Sequence, residues 1–188
     1  GAGGLGGLEK KELHDLLREL WPAPVEALTV TNGALDAIDR VLASVTRYGD
    51  RIVVENPTFP PFFDLIDHYG LEAIGVGLDG DGMRPDEFHA ALAHSPTVVL
   101  LQPRAHNPTG ISMTPARAEE LAGILQRSRT APSAIVVEDD HSGSIATAPV
   151  VSLATWLPKR VLHVRSFSKS HGPDLRIDPV ADDNFGES

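Results

Sequence analysis

Short apolar segments alternate with amphipathic ones along most of the 188-residue chain, and this alternation is what most constrains its fold. The apolar segments are four or five residues long and end in polar or turn-forming residues, as in VVLL at 98–101 and AIVV at 134–137. Between them, apolar residues recur every three or four positions, which is typical of amphipathic helices. Short, continuously apolar strands separated by helices predict a mostly parallel sheet with helices on both faces. We therefore expect one three-layer αβα domain.

The pattern predicts where most of the elements lie. Strands are expected at Ala27–Thr31, Arg51–Val54, Glu72–Val76, Val98–Leu101, Ala134–Val137 and Arg160–Val164, the last of the series. Helices are expected from Leu8 to Leu20, from Gly33 to Val45, around Phe62–Tyr69, from Pro85 to Leu92 and from Thr114 to about Gln126. Residues 1–7 are glycine-rich and predict a flexible leader, residues 8–177 form the domain, and the acidic residues 178–188 predict a solvated tail.

Composition excludes several classes of function. The 16 basic and 26 acidic residues give a formal net charge of −10, whereas surfaces that bind nucleic acid or anionic membranes are basic. The absence of cysteine excludes disulfides, thiolate metal sites and a cysteine nucleophile. No apolar segment approaches the ~20 residues that cross a bilayer, and no secretory signal is recognisable. We expect a cytoplasmic protein that does not itself contact membrane or DNA.

Polar segments follow several of the predicted strands, where ligands bind in open parallel sheets. These segments are TNGAL at 31–35, NPTG at 107–110, EDDH at 138–141 and SFSKS at 166–170. Gly33 permits close approach, and the free N–H groups of the helix that it opens suit a phosphate, although an ordinary strand-to-helix turn is the alternative. The NPTG segment is also consistent with a plain turn.

The acidic segment at 138–141 and the lysine-containing segment at 166–170 can each be interpreted in more than one way. Three adjacent carboxylates at 138–140 are costly unless they face a cation or solvent. Consecutive residues rarely converge on one ion and no spaced partner set accompanies them, so we expect no metal. Lys169, flanked by serines, is a candidate for imine formation with a carbonyl group, and a solvated surface lysine is the alternative.

The order and spacing of these segments resemble the large domain of the fold-type I pyridoxal-phosphate-dependent aminotransferases of class I/II. Asp139 follows Asn107 of the NPTG segment by 32 residues, and Lys169 of the Ser-x-Ser-Lys segment follows Asp139 by another 30. The resemblance extends from about Leu8 to Ile177. The segments EDDH and RSFSKSHGPDLR are most similar to the aminotransferase-like domain of MocR-type regulators, which carry an N-terminal winged helix-turn-helix of the GntR type.

The resemblance implies a pyridoxal 5′-phosphate cofactor and roles for individual residues. Lys169 would hold the cofactor as an internal aldimine and shuttle the Cα proton, and Asp139 would pair with the pyridine nitrogen. Asn107 would donate a hydrogen bond to the ring phenolate oxygen, beside which His141 replaces the usual tyrosine. Phe59 would stack on the ring, its alternative being core packing beside Phe62 and Phe63. The phosphate would be bound by the backbone of Gly33, Ala34 and Leu35 and by Ser166, Ser168 and Arg176.

Three functions are compatible with this resemblance. The first is transamination between an amino acid and a 2-oxo acid. The second is sensing of the cofactor, or of an amine effector, by a regulator whose DNA-binding domain lies outside this chain. Since the resemblance ends after Ile177, we expect the C-terminal small domain and any N-terminal winged helix to be absent, so an inactive fragment is the third. Family members are dimers, which implies a homodimer for the full-length protein.

Overall fold

A computed structural model of the chain describes residues 33–141, 150–166 and 175–179. Its helices are α1 (Gly33–Val45), α2 (Pro61–His68), α3 (Pro85–Leu92) and α4 (Pro115–Arg127), with a short 3-10 helix at Leu153–Thr155. Its strands are β1 (Arg51–Asn56), β2 (Glu72–Asp79), β3 (Gly82–Met83), β4 (Val98–Leu101), β5 (Ile135–Asp140), β6 (Val161–Ser166) and β7 (Leu175–Pro179). The predicted strand at 27–31, the helix at 8–20 and the leader at 1–7 lie outside the described residues.

The strands form one sheet in the order β3-β2-β1-β4-β5-β6-β7. The five inner strands of this order, which are β2, β1, β4, β5 and β6, are parallel to one another. Only the two outermost pairings of the described sheet, β2 with β3 and β6 with β7, are antiparallel. This confirms the predicted mostly parallel α/β sheet.

Helices cover both faces of the sheet and create two apolar cores. Alternate strand residues divide between the cores: Val53 and Val99 pack towards α3 and α4, whereas Ile52 and Leu100 pack towards α1 and α2. We call these the α3–α4 face and the α1–α2 face. The period of two along each strand explains the division, since neighbouring side chains point to opposite sides. The predicted three-layer arrangement is therefore present.

The helices begin where the sequence predicts. Pro115 occupies the first turn of α4, and the Thr114 side chain accepts a hydrogen bond from the Arg117 N–H at 3.2 Å. Pro85 occupies the first turn of α3 in the same way. Proline suits this position because the first N–H groups of a helix have no partner inside it. Within the described residues, none of the helices combines the length and the hydropathy that crossing a membrane requires.

The strand boundaries differ from the prediction at polar ends. β1 continues through Glu55 and Asn56, and β5 continues from Val137 through Asp140. The prediction ended these strands at their last apolar residue, but Glu55 and the β5 carboxylates are buried and stay in the strands. Buried polar groups at strand ends need specific partners, and those partners belong to the candidate site.

The expectation that Arg160–Val164 ends the series of strands is wrong. β7 follows and pairs antiparallel with β6, with Arg176 opposite Arg165 and Asp178 opposite His163. This strand includes Asp178 and Pro179, which the sequence analysis predicted to belong to the acidic tail. An antiparallel edge strand is held by backbone hydrogen bonds and does not require a continuous apolar run, which is why apolar patterning did not identify it.

Candidate functional site

The carboxyl ends of β1, β4, β5 and β6 meet at one edge of the sheet, as parallel pairing requires. Asp139 lies in β5 and continues the alternation of Ile135 and Val137, which places it on the α1–α2 face. Gly33 opens α1, which packs on this face, and Ser166 ends β6. Several of the predicted site residues therefore belong to one edge and one face.

Within the described part of the chain, Asp139 has one carboxylate oxygen with a hydrogen-bond partner and one without. Its side chain is buried, with 2% of the residue exposed. Oδ2 accepts a hydrogen bond from Gln102 Nε2 at 3.0 Å, whereas Oδ1 is buried and has no partner among the described residues. Burial raises the pKa of Asp139, and the hydrogen bond from Gln102 acts in the opposite direction. A buried oxygen of this kind is costly unless a donor satisfies it, and a protonated ring nitrogen is such a donor.

Asn107 lies in the turn that follows β4, with its side chain exposed. Gly110 completes the turn with a φ of +77°, a backbone conformation that favours glycine, and its N–H donates to the His106 carbonyl. The Asn107 N–H donates to Gln102 Oε1 at 2.8 Å. The NPTG segment is thus a turn, as its composition predicts, and this turn is connected through Gln102 to Asp139.

His141 follows β5 and contacts the same loop. Its Nε2 lies 2.8 Å from the carbonyl oxygen of Ala105. Because a carbonyl oxygen can only accept, Nε2 carries the proton in this contact. Nδ1 is therefore the ring nitrogen left for any contact with a cofactor oxygen.

Phe59 is half-buried and packs against the core of the α1–α2 face. Its ring meets that of Phe62 edge to face, with the centroids 5.3 Å apart, while Phe63 is exposed. The described contacts are those of the core-packing alternative, with Phe62 rather than Phe63. Stacking on a cofactor ring stays a prediction.

The phosphate-binding residues are only partly within the described chain. Gly33, Ala34 and Leu35 form the first turn of α1, and Arg176 lies in β7 opposite Arg165 of β6. Ser168 and Lys169 lie outside the described residues.

Glu138 and Asp140 lie on the other face from Asp139, and cationic side chains surround them. Glu138 Oε1 accepts from His163 Nδ1 at 2.8 Å and from Ser152 Oγ at 2.5 Å. Asp140 accepts from Arg104 Nη2 at 2.8 Å and lies 3.3 Å from His163 Nε2. For two of the three adjacent carboxylates, the cations are therefore the protein's own side chains. In the described ranges, no group of three His, Asp or Glu side chains is arranged to hold a metal ion.

The charge states of this cluster follow from its geometry. Burial alone would lower the pKa of His163, but its bonds to Asp140 and Glu138 raise that pKa to about 9. Burial alone would raise the pKa of Asp140, but hydrogen bonds from His163 and Arg104 lower it to about 2. At neutral pH the cluster therefore holds an imidazolium between two carboxylates.

Glu55 and His106 form a second buried pair below the NPTG turn. Burial raises the pKa of Glu55 to about 8 even though its Oε1 accepts from the Gln102 N–H at 2.8 Å. Burial lowers the pKa of His106, whose Nε2 lies 3.6 Å from Glu55 Oε1. At neutral pH this pair is a protonated carboxyl facing a neutral imidazole rather than an ion pair.

Sequence patterns did not identify Gln102, Arg104, Glu55, His106 or His163 as members of this edge. His163 lies inside an apolar strand, Glu55 and Gln102 directly follow the apolar runs at 52–54 and 98–101, and Arg104 and His106 lie in the loop after β4. For the first three, the available signal was the interruption or end of an apolar run by a polar group. The identity of each partner depends on strand order, which no local pattern specifies.

Comparison with known proteins agrees with the aminotransferase resemblance of the sequence motifs. Residues 7–173 match the family model described as aminotransferase class I and II. The chain is 36% identical over 168 residues to the vitamin B6 salvage pathway transcriptional repressor PtsJ of Salmonella typhimurium, covering 89% of this chain and 38% of the repressor. It is 30% identical over 164 residues to the aminotransferase swnA of Metarhizium robertsii, covering 79% of this chain and 32% of that enzyme.

A solved structure shares the fold. The kynurenine aminotransferase of Pyrococcus horikoshii superimposes with a TM-score of 0.64 at 25% identity, over 85% of this chain and 41% of that one. The chain thus spans about a third to two-fifths of the length of the relatives that it matches. Those relatives include both aminotransferases and MocR-type regulators, and the architecture is that of the fold-type I pyridoxal-phosphate-dependent transferases. The chain belongs to the class I and II aminotransferase family.

Proposed function

We propose that this chain binds pyridoxal 5′-phosphate at the carboxyl edge of the sheet, on the α1–α2 face, with Lys169 as its covalent attachment point. The observation that carries the proposal is Asp139 Oδ1, a buried carboxylate oxygen without a partner in the described part of the chain. The position of Asp139 between the NPTG turn and the end of β6 supports the same assignment.

The surrounding residues suit the cofactor. Asp139 keeps the pyridine nitrogen protonated, because a buried carboxylate stabilises a cation next to it. When bound, pyridoxal phosphate supplies an electron sink for the charge that develops at the Cα of an amino acid. Asn107 binds the phenolate oxygen, and Lys169 Nζ moves the Cα proton. Because His141 Nε2 donates to Ala105, its Nδ1 can donate to the phenolate oxygen only when the imidazole carries a proton on both nitrogens. The phosphate is held at the N-terminus of α1 (Gly33, Ala34 and Leu35) and by Ser166, Ser168 and Arg176.

We propose transamination between an amino acid and a 2-oxo acid as the reaction, within a homodimer of the full-length protein. Family membership and the 30% identity to the aminotransferase swnA support this reaction. The 36% identity to the repressor PtsJ supports a second candidate, in which the same site senses the cofactor or an amine effector and controls a DNA-binding domain of a longer protein.

Covalent labelling tests the site. The purified chain is mixed with pyridoxal phosphate, reduced with borohydride and mapped by peptide mass spectrometry. We expect one reduced adduct, on the peptide that contains Lys169, and no such adduct in Lys169→Ala. Lys159→Ala is the matched control because Lys159 is an exposed lysine outside the site. Label scattered over several lysines, or equal labelling of wild type and Lys169→Ala, would overturn the assignment.

A single-turnover reaction separates the two candidate functions. After the cofactor is bound, an amino acid is added without any 2-oxo acid acceptor. Transamination predicts one equivalent of 2-oxo acid released per bound cofactor. A chain that carries the cofactor on Lys169 and releases no 2-oxo acid is expected both of a sensor and of an inactive fragment, so the same reaction is run on the full-length protein. A full-length protein that carries the cofactor and releases no 2-oxo acid from any of the twenty amino acids supports the sensor and contradicts the enzyme.

A further inference from the structure

We propose that Gln102 is a positioning residue that orients the Asp139 carboxylate and the NPTG turn together, so that one charged oxygen of Asp139 is left for the cofactor ring. This inference rests on the proposed function. It assigns a role to a side chain that lies outside the motifs from which the site was predicted, and it concerns how the site is held rather than which residues touch the cofactor.

The hydrogen bonds fix the orientation of the Gln102 amide. Its Oε1 accepts from the Asn107 N–H at 2.8 Å, and its Nε2 donates to Asp139 Oδ2 at 3.0 Å. A backbone N–H can only donate, so rotating the amide by 180° would place a donor against the Asn107 N–H and break that bond. Gln102 is thus the one residue in the described chain that is hydrogen-bonded to both Asn107 and Asp139.

Gln102 is itself anchored. Only 2% of the residue is exposed, and its own N–H donates to Glu55 Oε1 at 2.8 Å. A buried amide with its backbone and side chain both bonded has little freedom to adopt another rotamer. Gln102 therefore holds Asp139 of β5 in a fixed position relative to Glu55 of β1 and to the turn that follows β4.

Two consequences follow for Asp139. The bond to Oδ2 occupies one carboxylate oxygen and leaves Oδ1, the buried oxygen without a described partner, for the ring nitrogen. The donated bond also favours the charged form of the carboxyl against the effect of burial. Among the other groups that act on Asp139, His141 and His163 favour its charged form, whereas Asp140 disfavours it.

The first test uses the wild-type chain alone. The sequence contains only two glutamines, the buried Gln102 and the exposed Gln126, so labelling with ¹⁵N-glutamine gives two side-chain amide signals, one of them an internal control. We expect the Gln102 amide protons to exchange with water much more slowly than those of Gln126, and to shift as Asp139 titrates. Equal exchange at the two positions would overturn the inference whether or not the chain binds a cofactor.

The second test measures the pairing with the ring nitrogen. Affinities are compared for pyridoxal phosphate and for its carbocyclic analogue, in which a C–H group replaces the ring nitrogen. Both probes carry the aldehyde and the phosphate, so the contribution of Lys169 cancels in the ratio of their affinities. Gln102→Met keeps the approximate size of the side chain and removes its amide, and Gln126→Met is the matched control.

The outcomes distinguish the inference from the proposed function. We expect the wild type and Gln126→Met to prefer pyridoxal phosphate, and Gln102→Met to lose about tenfold or more of that preference, as the loss of a hydrogen bond to a charged group implies. An unchanged preference in Gln102→Met overturns the inference alone. A wild type that binds neither probe overturns the proposed function as well. If Gln102→Met does not fold, the amide exchange of the wild type decides.

Discussion

Glu138, Asp139 and Asp140 are adjacent in β5, but the period of a strand gives them two environments. Glu138 and Asp140 face His163 and Arg104, while Asp139 faces Gln102 on the opposite side of the sheet. The sequence alone predicted that three adjacent carboxylates here need a cation or solvent, and Glu138 and Asp140 do face cationic side chains. It could not predict which cations, because His163 and Arg104 lie on neighbouring strands and reach β5 only through strand pairing.

Replacement of His163 tests whether the cluster stabilises the fold. His163→Gln leaves Glu138 and Asp140 buried with one cation fewer, and removing one member of a buried ion pair costs about 3–5 kcal/mol of unfolding free energy. Urea unfolding at pH 7 measures the loss, with the exposed His89→Gln as control. The pKa of His163 is raised from 6.5 to about 9, so its stabilisation is complete below pH 6.5 and is lost as pH rises through 9. A His163→Gln variant as stable as wild type would contradict the assigned charges.

At the scale of elements, the apolar strands and the helices could be predicted from the sequence, and the sheet edges could not. β4 begins and ends where the apolar run does, because VVLL is buried on both faces. β3 has only two residues and β7 pairs antiparallel at the edge, so neither presents the continuous apolar run that identifies an inner strand. The polar ends of β1 and β5 were missed because their burial depends on residues distant in sequence, such as His106 and His163.

The start of α4 is a local feature, and its contribution can be measured separately. Thr114 Oγ1 accepts the Arg117 N–H, one of the helical donors that have no partner within the helix. Thr114→Ala removes this acceptor and is expected to lower the free energy of unfolding by about 1 kcal/mol. The control is Thr155→Ala, at an exposed position at the end of the 3-10 helix. If Thr114→Asp destabilised the chain as much as Thr114→Ala does, the side chain would not act as a cap, since aspartate caps equally well.

For the whole molecule, the carboxyl edge of the sheet carries a buried polar layer on both faces, over two apolar cores. The family and the architecture were predictable because motif order and apolar runs are local properties of the chain. The connections within the polar layer were not, since Glu55, Gln102 and Asp139 come from three strands or strand ends that meet only in the folded sheet. Burial of so many titratable groups makes the stability of the domain depend on pH.

Glu55 gives this dependence a definite sign. Its pKa is raised from 4.5 to about 8 by burial, so the folded chain holds a proton that the unfolded chain has released above pH 4.5. The contribution of protonated Glu55 to the free energy of unfolding is therefore fully present below pH 4.5 and is lost as pH rises to about 8. Glu55→Gln is permanently neutral and its amide oxygen can still accept the Gln102 N–H.

We expect Glu55→Gln to flatten the stability profile between pH 4.5 and 8 and to be more stable than wild type at pH 8. Urea unfolding across this range measures both effects. Glu119→Gln, the same change at an exposed position on α4, should follow the wild-type profile. If Glu55→Gln and wild type lost stability in parallel as pH rises, Glu55 would be ionised in the folded chain. A charge at that position would face both Asp139 and the neutral His106, and the buried layer would then need a cation on the β1 side as it has one on the β6 side.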